Sequence, residues 1–214
     1  MTAPSGGENT ADLALPHAFY DRPALAVARD TLGKVLVWRG PDGEQTGRVV
    51  EVEAYDGPAD AASHARSGPQ GRAAVMFGRP GFAYVYVIYG IHHCLNLVTG
   101  PDGYPAAVLI RALEPLTRIT GNTSGPGRLC KVLGLDRTHN GLDLAGDRLY
   151  LTDRGLAVDD RDVVARPRIG IAFAGEPWIS QPWRLYERGN RWVSARTMRD
   201  LRREIAERAA SPGG

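Results

Sequence analysis

The chain has 214 residues, 43% of them hydrophobic and 23% charged, which is the composition of an ordinary globular protein and long enough for one domain with a full core. No run approaches the roughly 18 consecutive apolar residues of a membrane span, and a net charge of +2 excludes a polybasic binder recognised by bulk charge alone. Of the 26 basic residues only Lys34 and Lys131 are lysines; coding bias accounts for such an arginine excess as readily as phosphate recognition does.

Residues 1–16 read as a small, polar, disordered tail without the basic and apolar segments of a secretory signal. That points to a cytoplasmic protein, in which Cys94 and Cys130 are reduced thiols acting as small buried hydrophobes. A helix is expected over 17–33, with Asp21 as its cap, Pro23 in the first turn and Gly33 at its end. Alternating apolar residues in KVLVW and GRVVEVEAY predict two strands of a hairpin around GPDGEQTG. Residues 56–82, rich in Gly, Pro, Ala and Ser, read as a long loop with a short helix, and a loop of that length in a compact domain is usually functional. Further strands are expected at 82–89, in GIHHCLNLVT, at 106–113, at 148–152, at 167–174 and at 183–188. A Gly-rich turn enters a short helix at 127–133, and residues 194–210 have the composition of a charged helix. Strands in this order, without βαβ alternation, predict an antiparallel sheet with flanking helices.

Three strands hold residues with chemical potential. A period of two puts Val50, Val52 and Ala54 on one side of the 49–55 strand and Glu51, Glu53 and Tyr55 on the other. By itself this pair of carboxylates reads more readily as a solvated edge than as a general base in a cleft. In FAYVYVIYG, Tyr84 and Tyr86 share a face and Tyr89 lies at a strand end; such a cluster is a core with bonded hydroxyls or a surface on which bases stack. Arg111 ends the apolar run AAVLIR and needs an anionic partner, either a structural carboxylate or a group that it orients for catalysis. His92 and His93 point to opposite faces of an extended chain and are poor joint metal ligands. GPGRLCK has the form of a phosphate-cradling turn but lacks the rest of a P-loop, and no GxGxxG or GxSxG is present.

Seven ordered blocks between Phe19 and Ser194 go further: LGKVLV, GRVVEVEAYDGPADAASHA, MFGRPGFAYVYVIYGIHHCLNLV, LIRALEP, SGPGRLCK, RIGIAFAGEPW and RLYERGNRWVS. Through them the chain resembles the alkyladenine-type 3-methyladenine DNA glycosylases. The resemblance implies an α+β fold: one domain over 17–194, with a curved, mostly antiparallel sheet or partly open barrel flanked by helices, like the C-terminal domain of a tRNA formyltransferase. Residues 195–214 lie outside it, as a charged helix or tail.

The resemblance also implies roles. Glu53 matches the general base that activates water, Arg111 the arginine that helps to hold that water, and Ile169 a residue whose backbone carbonyl contacts it. Tyr55, His64 and Tyr86 match the walls of a pocket for a flipped base, with the His64 amide on the 6-position edge of the purine. Asn96 matches the asparagine that hinders the 2-amino group of guanine. Tyr89 matches the intercalating wedge, beside Ile91, where the family often has Met, and His92 and His93, where it often has aromatics. Arg66, Arg72, Arg79 and Arg128 would position phosphates. The implied partner is duplex DNA with damaged purines, attacked by water without metal or cofactor, and the implied protein is a monomer. The competing readings are a damage binder that does not cut, a related nucleic-acid module without a pocket, and a hydrolase of free nucleosides.

Overall fold

The computed structural model describes residues 13–194; residues 1–12 and the expected charged helix at 194–210 beyond Ser194 lie outside the described residues. Two helices replace the one expected over 17–33: α1 (His17–Tyr20) and α2 (Ala24–Thr31). Pro23 sits immediately before α2, and a proline disfavours helical geometry in the residue that precedes it, so the chain breaks at 21–23. In α2 the buried residues Ala24, Val27, Ala28 and Thr31 recur at helical spacing and form its inner face.

The strands are β1 (Val35–Gly40), β2 (Gly43–Asp56), β3 (Ala83–Ile88), β4 (His92–Thr99), β5 (Ala106–Thr117), β6 (Leu149–Thr152), β7 (Val163–Arg166) and β8 (Arg184–Glu187), with α3 (Pro126–Leu133) between β5 and β6. They form a curved antiparallel sheet in the order β3-β4-β5-β2-β1-β6, with β8 joining β2 to β7. The fold is therefore a single α+β domain with a half-barrel sheet. The β1–β2 hairpin closes more tightly than expected, with Gly40 opposite Gly43. β5 continues to Thr117, so Arg111 lies within the strand and not at its end.

Pleating sorts the residues between two faces. Val52 and Ala54 of β2, Val85 of β3, Leu95 and Leu97 of β4, and Val108 and Ile110 of β5 point into the main core, closed by α2 and α3. The intervening residues point to the opposite face. Three smaller apolar clusters stand apart from the main core: Ala65, Met76, Tyr84, Val98 and Ala107 in one, Val50, Ala112, Val164, Tyr186 and Val193 in a second, and Val35, Val37 and Tyr150 in a third. The register of β2 against β5 shifts on both sides of Glu51. These bulges put Val50 on the face opposite Val52 and Ala54, contrary to strict alternation.

The expected strand at 167–174 does not form. Its backbone bonds to side chains instead: the Ile169 amide donates to Glu53, Gly170 takes a positive φ of 78°, and Ala172–Ala174 is a short 3₁₀ turn. The loop after β2 contains two 3₁₀ helices, His64–Ser67 and Gly71–Phe77. Among the described residues no helix is long and apolar enough to cross a membrane, and Cys94 and Cys130 are free and buried.

Candidate active site

A cavity of about 440 Å³ opens on the sheet face opposite the main core, within the ~300–1,000 Å³ range of small-ligand sites. The sheet supplies its floor: Glu53 and Tyr55 from β2, Tyr84 and Tyr86 from β3, Cys94 and Asn96 from β4, Leu109 and Arg111 from β5. The loop after β2 adds His64, Arg72 and Met76 to its wall, and the stretch after β7 adds Ile169 and Phe173. Tyr89 stands at its rim.

Glu51 and Glu53 are fully buried. This overturns the solvated-edge reading of the 49–55 strand, because β5 covers one edge of β2 and β8 the other at these residues. The Glu53 carboxylate is held by two hydrogen bonds and an ion pair. The Ile169 amide donates to Oε1 at 2.7 Å, Arg111 Nη1 lies 3.2 Å from the same oxygen, and the Tyr55 hydroxyl donates to Oε2 at 2.9 Å. Burial and the neighbouring carboxylate push the Tyr55 phenol well above its ordinary pKa, so it stays neutral and remains a donor. Arg111 also donates Nε to Glu51 at 2.9 Å and Nη2 to the Ser194 hydroxyl at 3.1 Å. Burial works against the Arg111 charge, but the Glu53 and Glu51 carboxylates outweigh it and raise its pKa.

The aromatic wall is cross-braced. The Tyr84 and Tyr86 rings lie 5.2 Å apart, and the His64 ring meets Tyr86 edge-on at 4.5 Å. His64 Nδ1 is 2.9 Å from the Tyr84 hydroxyl, and Nε2 is 3.4 Å from Arg72 Nη2. An arginine offers only donors, so Nε2 is assigned the lone pair and Nδ1 the proton. Burial and the Arg72 charge lower the His64 pKa to about 4, leaving the ring neutral near pH 7. Burial raises Tyr84 to about 12 and the Cys94 thiol to about 11. Asn96 is buried and donates Nδ2 to the Tyr84 carbonyl at 3.0 Å.

Tyr89 is 91% exposed and Ile91 71% exposed, at the tip between β3 and β4. Tyr89 and Gly90 have φ of 53° and 73°, and the Ile91 amide closes the turn onto the Ile88 carbonyl at 3.2 Å. A tyrosine in the left-handed region is strained, and such strain concentrates where the fold holds a residue for use. Gly127 at the start of α3 lies so close to His92 that a Cβ there would meet the His92 Cβ at 3.0 Å, while the Arg128 side chain donates to the Ser124 carbonyl.

The expected site residues thus divide. Glu53, Tyr55, His64, Arg72, Tyr86, Tyr89, Asn96, Arg111 and Ile169 share one cavity. Arg66, Arg79, Arg128 and Ile91 are exposed outside its lining. The Ile169 amide, which the sequence reading did not single out, donates to Glu53. Sequence reasoning missed Asp60, Arg168, Arg184 and Ser194. Asp60 and Arg168 form a buried ion pair of 2.5 and 2.9 Å, and the Arg168 guanidinium lies over the rings of Tyr55 (4.6 Å) and Trp183 (4.9 Å). Their only sequence signal is a charge inside an otherwise small or apolar block. Among the described residues no cluster of three or more His, Cys, Asp or Glu side chains is arranged to hold a metal ion.

A curved antiparallel sheet bearing a buried carboxylate beneath an aromatic cavity, with an exposed tyrosine at its rim, is the frame of the candidate active site. Residues 18–191 match the family model described as methylpurine-DNA glycosylase (MPG), and the chain belongs to that family; it is a DNA glycosylase. It is 53% identical over 184 residues to a protein of Anaeromyxobacter dehalogenans (strain 2CP-C) named "Putative 3-methyladenine DNA glycosylase", covering 85% of this chain and 87% of the relative. Relatives with the same name occur in Methanocella arvoryzae (49% identity, 87% and 98% coverage) and Legionella pneumophila strain Corby (43%, 84% and 97%).

Proposed function

We propose that this glycosylase turns damaged purines out of duplex DNA and hydrolyses their N-glycosidic bond with water, leaving an abasic site. The substrates are 3-methyladenine, as in the names of its relatives, together with 7-methylguanine, hypoxanthine and ethenoadenine. The observation that carries this reading is the Glu53 carboxylate, buried at the floor of an aromatic cavity and held there by the Ile169 amide, Arg111 and the Tyr55 hydroxyl.

A purine inside a duplex must leave the stack before its sugar bond can be reached, and a wedge fills the gap. Tyr89, exposed at the tip between β3 and β4, suits that task. Arg66, Arg72, Arg79 and Arg128 position phosphates without reading sequence. The flipped ring stacks among Tyr55, His64 and Tyr86, whose electron-rich faces favour an alkylated, positively charged base. The His64 amide faces the 6-position edge, and Asn96 discriminates against the 2-amino group of guanine.

As the C1′–N bond breaks, its electron pair leaves with the base and positive charge develops on the sugar. The Glu53 carboxylate stabilises that charge and takes a proton from the water whose oxygen bonds to C1′. Arg111 and the Ile169 backbone fix the carboxylate and its water. A cationic base departs neutral; hypoxanthine takes up a proton from solvent water as it leaves. Neither Lys34 nor Lys131 lines the cavity, in keeping with attack by water and no amine-dependent strand cleavage. The proposed catalytic unit is residues 17–194, acting as a monomer.

Single-turnover excision on duplexes with one 3-methyladenine or one hypoxanthine tests the reading, with wild type beside Glu53→Gln. Abasic sites from wild type alone are expected. Damage-dependent binding without excision by wild type would replace the enzyme reading with a binder that does not cut.

A further inference from the structure

Behind Glu53 lies a second set of buried polar groups that does not itself line the cavity. Glu51, Arg184 and Ser194 are all buried and absent from the cavity lining. Glu51 Oε1 accepts Arg111 Nε at 2.9 Å and Arg184 Nε at 2.7 Å, and Glu51 Oε2 accepts the Ser194 amide at 2.6 Å. The Ser194 hydroxyl accepts Arg111 Nη2 at 3.1 Å, and its carbonyl accepts Arg184 Nη2 at 2.9 Å. The polar atoms of Ser194 are thus engaged in this one network.

A guanidinium is planar and rigid, so two fixed nitrogens determine where the third points. With Nε on Glu51 and Nη2 on Ser194, Arg111 has Nη1 left to face Glu53, and it lies there at 3.2 Å. The charges follow the same division. Arg184 balances Glu51, so the charge of Arg111 remains for Glu53. The pairing of β2 with β5 sets Ala112 opposite Glu51 and Ile110 opposite Val52, so Arg111 between them lies within reach of both Glu51 and Glu53.

We infer that Glu51, Arg184 and Ser194 are positioning residues for the glycosylase reaction, holding Arg111 so that it presents one N–H and its charge to Glu53. The inference rests on the reading of Glu53 and Arg111 as the water-activating pair. It also gives Ser194, the last described residue of the chain, a part in the chemistry although it meets neither base nor sugar.

The test is a double-mutant cycle read by single-turnover excision of hypoxanthine from a duplex, with the half-saturating enzyme concentration and the melting temperature of each variant. Ser194→Ala keeps every charge and removes one neutral acceptor, so it is expected to fold and to lower the excision rate about tenfold, the scale of a hydrogen bond to a charged group. Half-saturation should not change. Glu51→Gln should lower the rate further. In an Arg111→Ala background Ser194→Ala should cost nothing more, because groups that act through one partner are not additive. The inference is overturned if folded Ser194→Ala excises at the wild-type rate, if its loss is undiminished in the Arg111→Ala background, or if only half-saturation or melting changes. Should Glu51→Gln fail to fold, Ser194→Ala alone decides. A wild-type rate in Arg111→Ala would instead overturn the underlying assignment of Arg111.

Discussion

Arg168 and Asp60, 108 residues apart in the chain, meet through a bidentate ion pair in which both side chains are fully buried. The pair clamps the loop that carries His64 to the stretch that carries Ile169, with the Arg168 guanidinium against the back of the Tyr55 ring. Asp60 also accepts the amides of Asp56 and Ala62, so its carboxylate organises the first turn of that loop. One ion pair therefore sets the distance between the two walls of the cavity.

Removing one partner leaves the other as an uncompensated buried charge, which costs about 3–5 kcal/mol. Asp60→Asn should accordingly lower the melting temperature by roughly 10 °C for a chain of this size. Thermal unfolding checks this, and a change of less than about 2 °C would mean that solvent reaches the pair and screens it.

Glu53→Gln keeps the size of the side chain and removes the base. Excision should fall by at least about a hundredfold, the lower range for loss of a general base. Binding to damaged duplex should stay within about threefold of wild type, because the same carboxamide can still bond the Ile169 amide. Retention of near-normal excision would rule Glu53 out as the base.

Tyr89 projects into solvent, so truncation has little folded structure to disturb. Tyr89→Ala should change stability by no more than about 0.5 kcal/mol, as is usual for exposed positions. Base flipping, followed by fluorescence of 2-aminopurine beside the lesion, should weaken strongly. A matching loss of melting temperature would show that the ring packs against the protein instead.

His64 links pH to stability. Its folded pKa, about 4, lies below the ordinary value of 6.5, so the unfolded chain takes up the proton first. Its neutral form therefore favours the folded state fully above pH 6.5, and that contribution is lost as pH falls from 6.5 toward 4. His64→Gln should flatten this part of the stability profile. Because the Arg72 charge is one cause of the lowering, Arg72→Ala should raise the His64 midpoint, measured by NMR titration. An unmoved midpoint would leave burial as the sole cause.

Much of the sheet was legible because alternation is a local property. The hairpin of β1 and β2, the shared face of Tyr84 and Tyr86, and the exposed tip at Tyr89 all follow from spacing of two and a Gly after a tyrosine. β7 was not legible, since the four residues VVAR carry too little alternation to stand out. The apolar run at 167–174 misled for a related reason. It has strand composition, but its backbone is claimed by Glu53, whose position no local pattern reveals.

By itself the sequence determined which residues alternate, where the chain turns, and, through its ordered blocks, that Glu53, Arg111, Tyr89 and the aromatic residues belong to a glycosylase family. Only the tertiary structure decided that Glu51 and Glu53 are buried, that Arg111 meets both, and that Asp60 meets Arg168. Burial of a charge depends on what covers it from distant parts of the chain, here β5, β8 and Ser194. Periodicity reports the face on which a side chain lies; it carries no information about the partner waiting there.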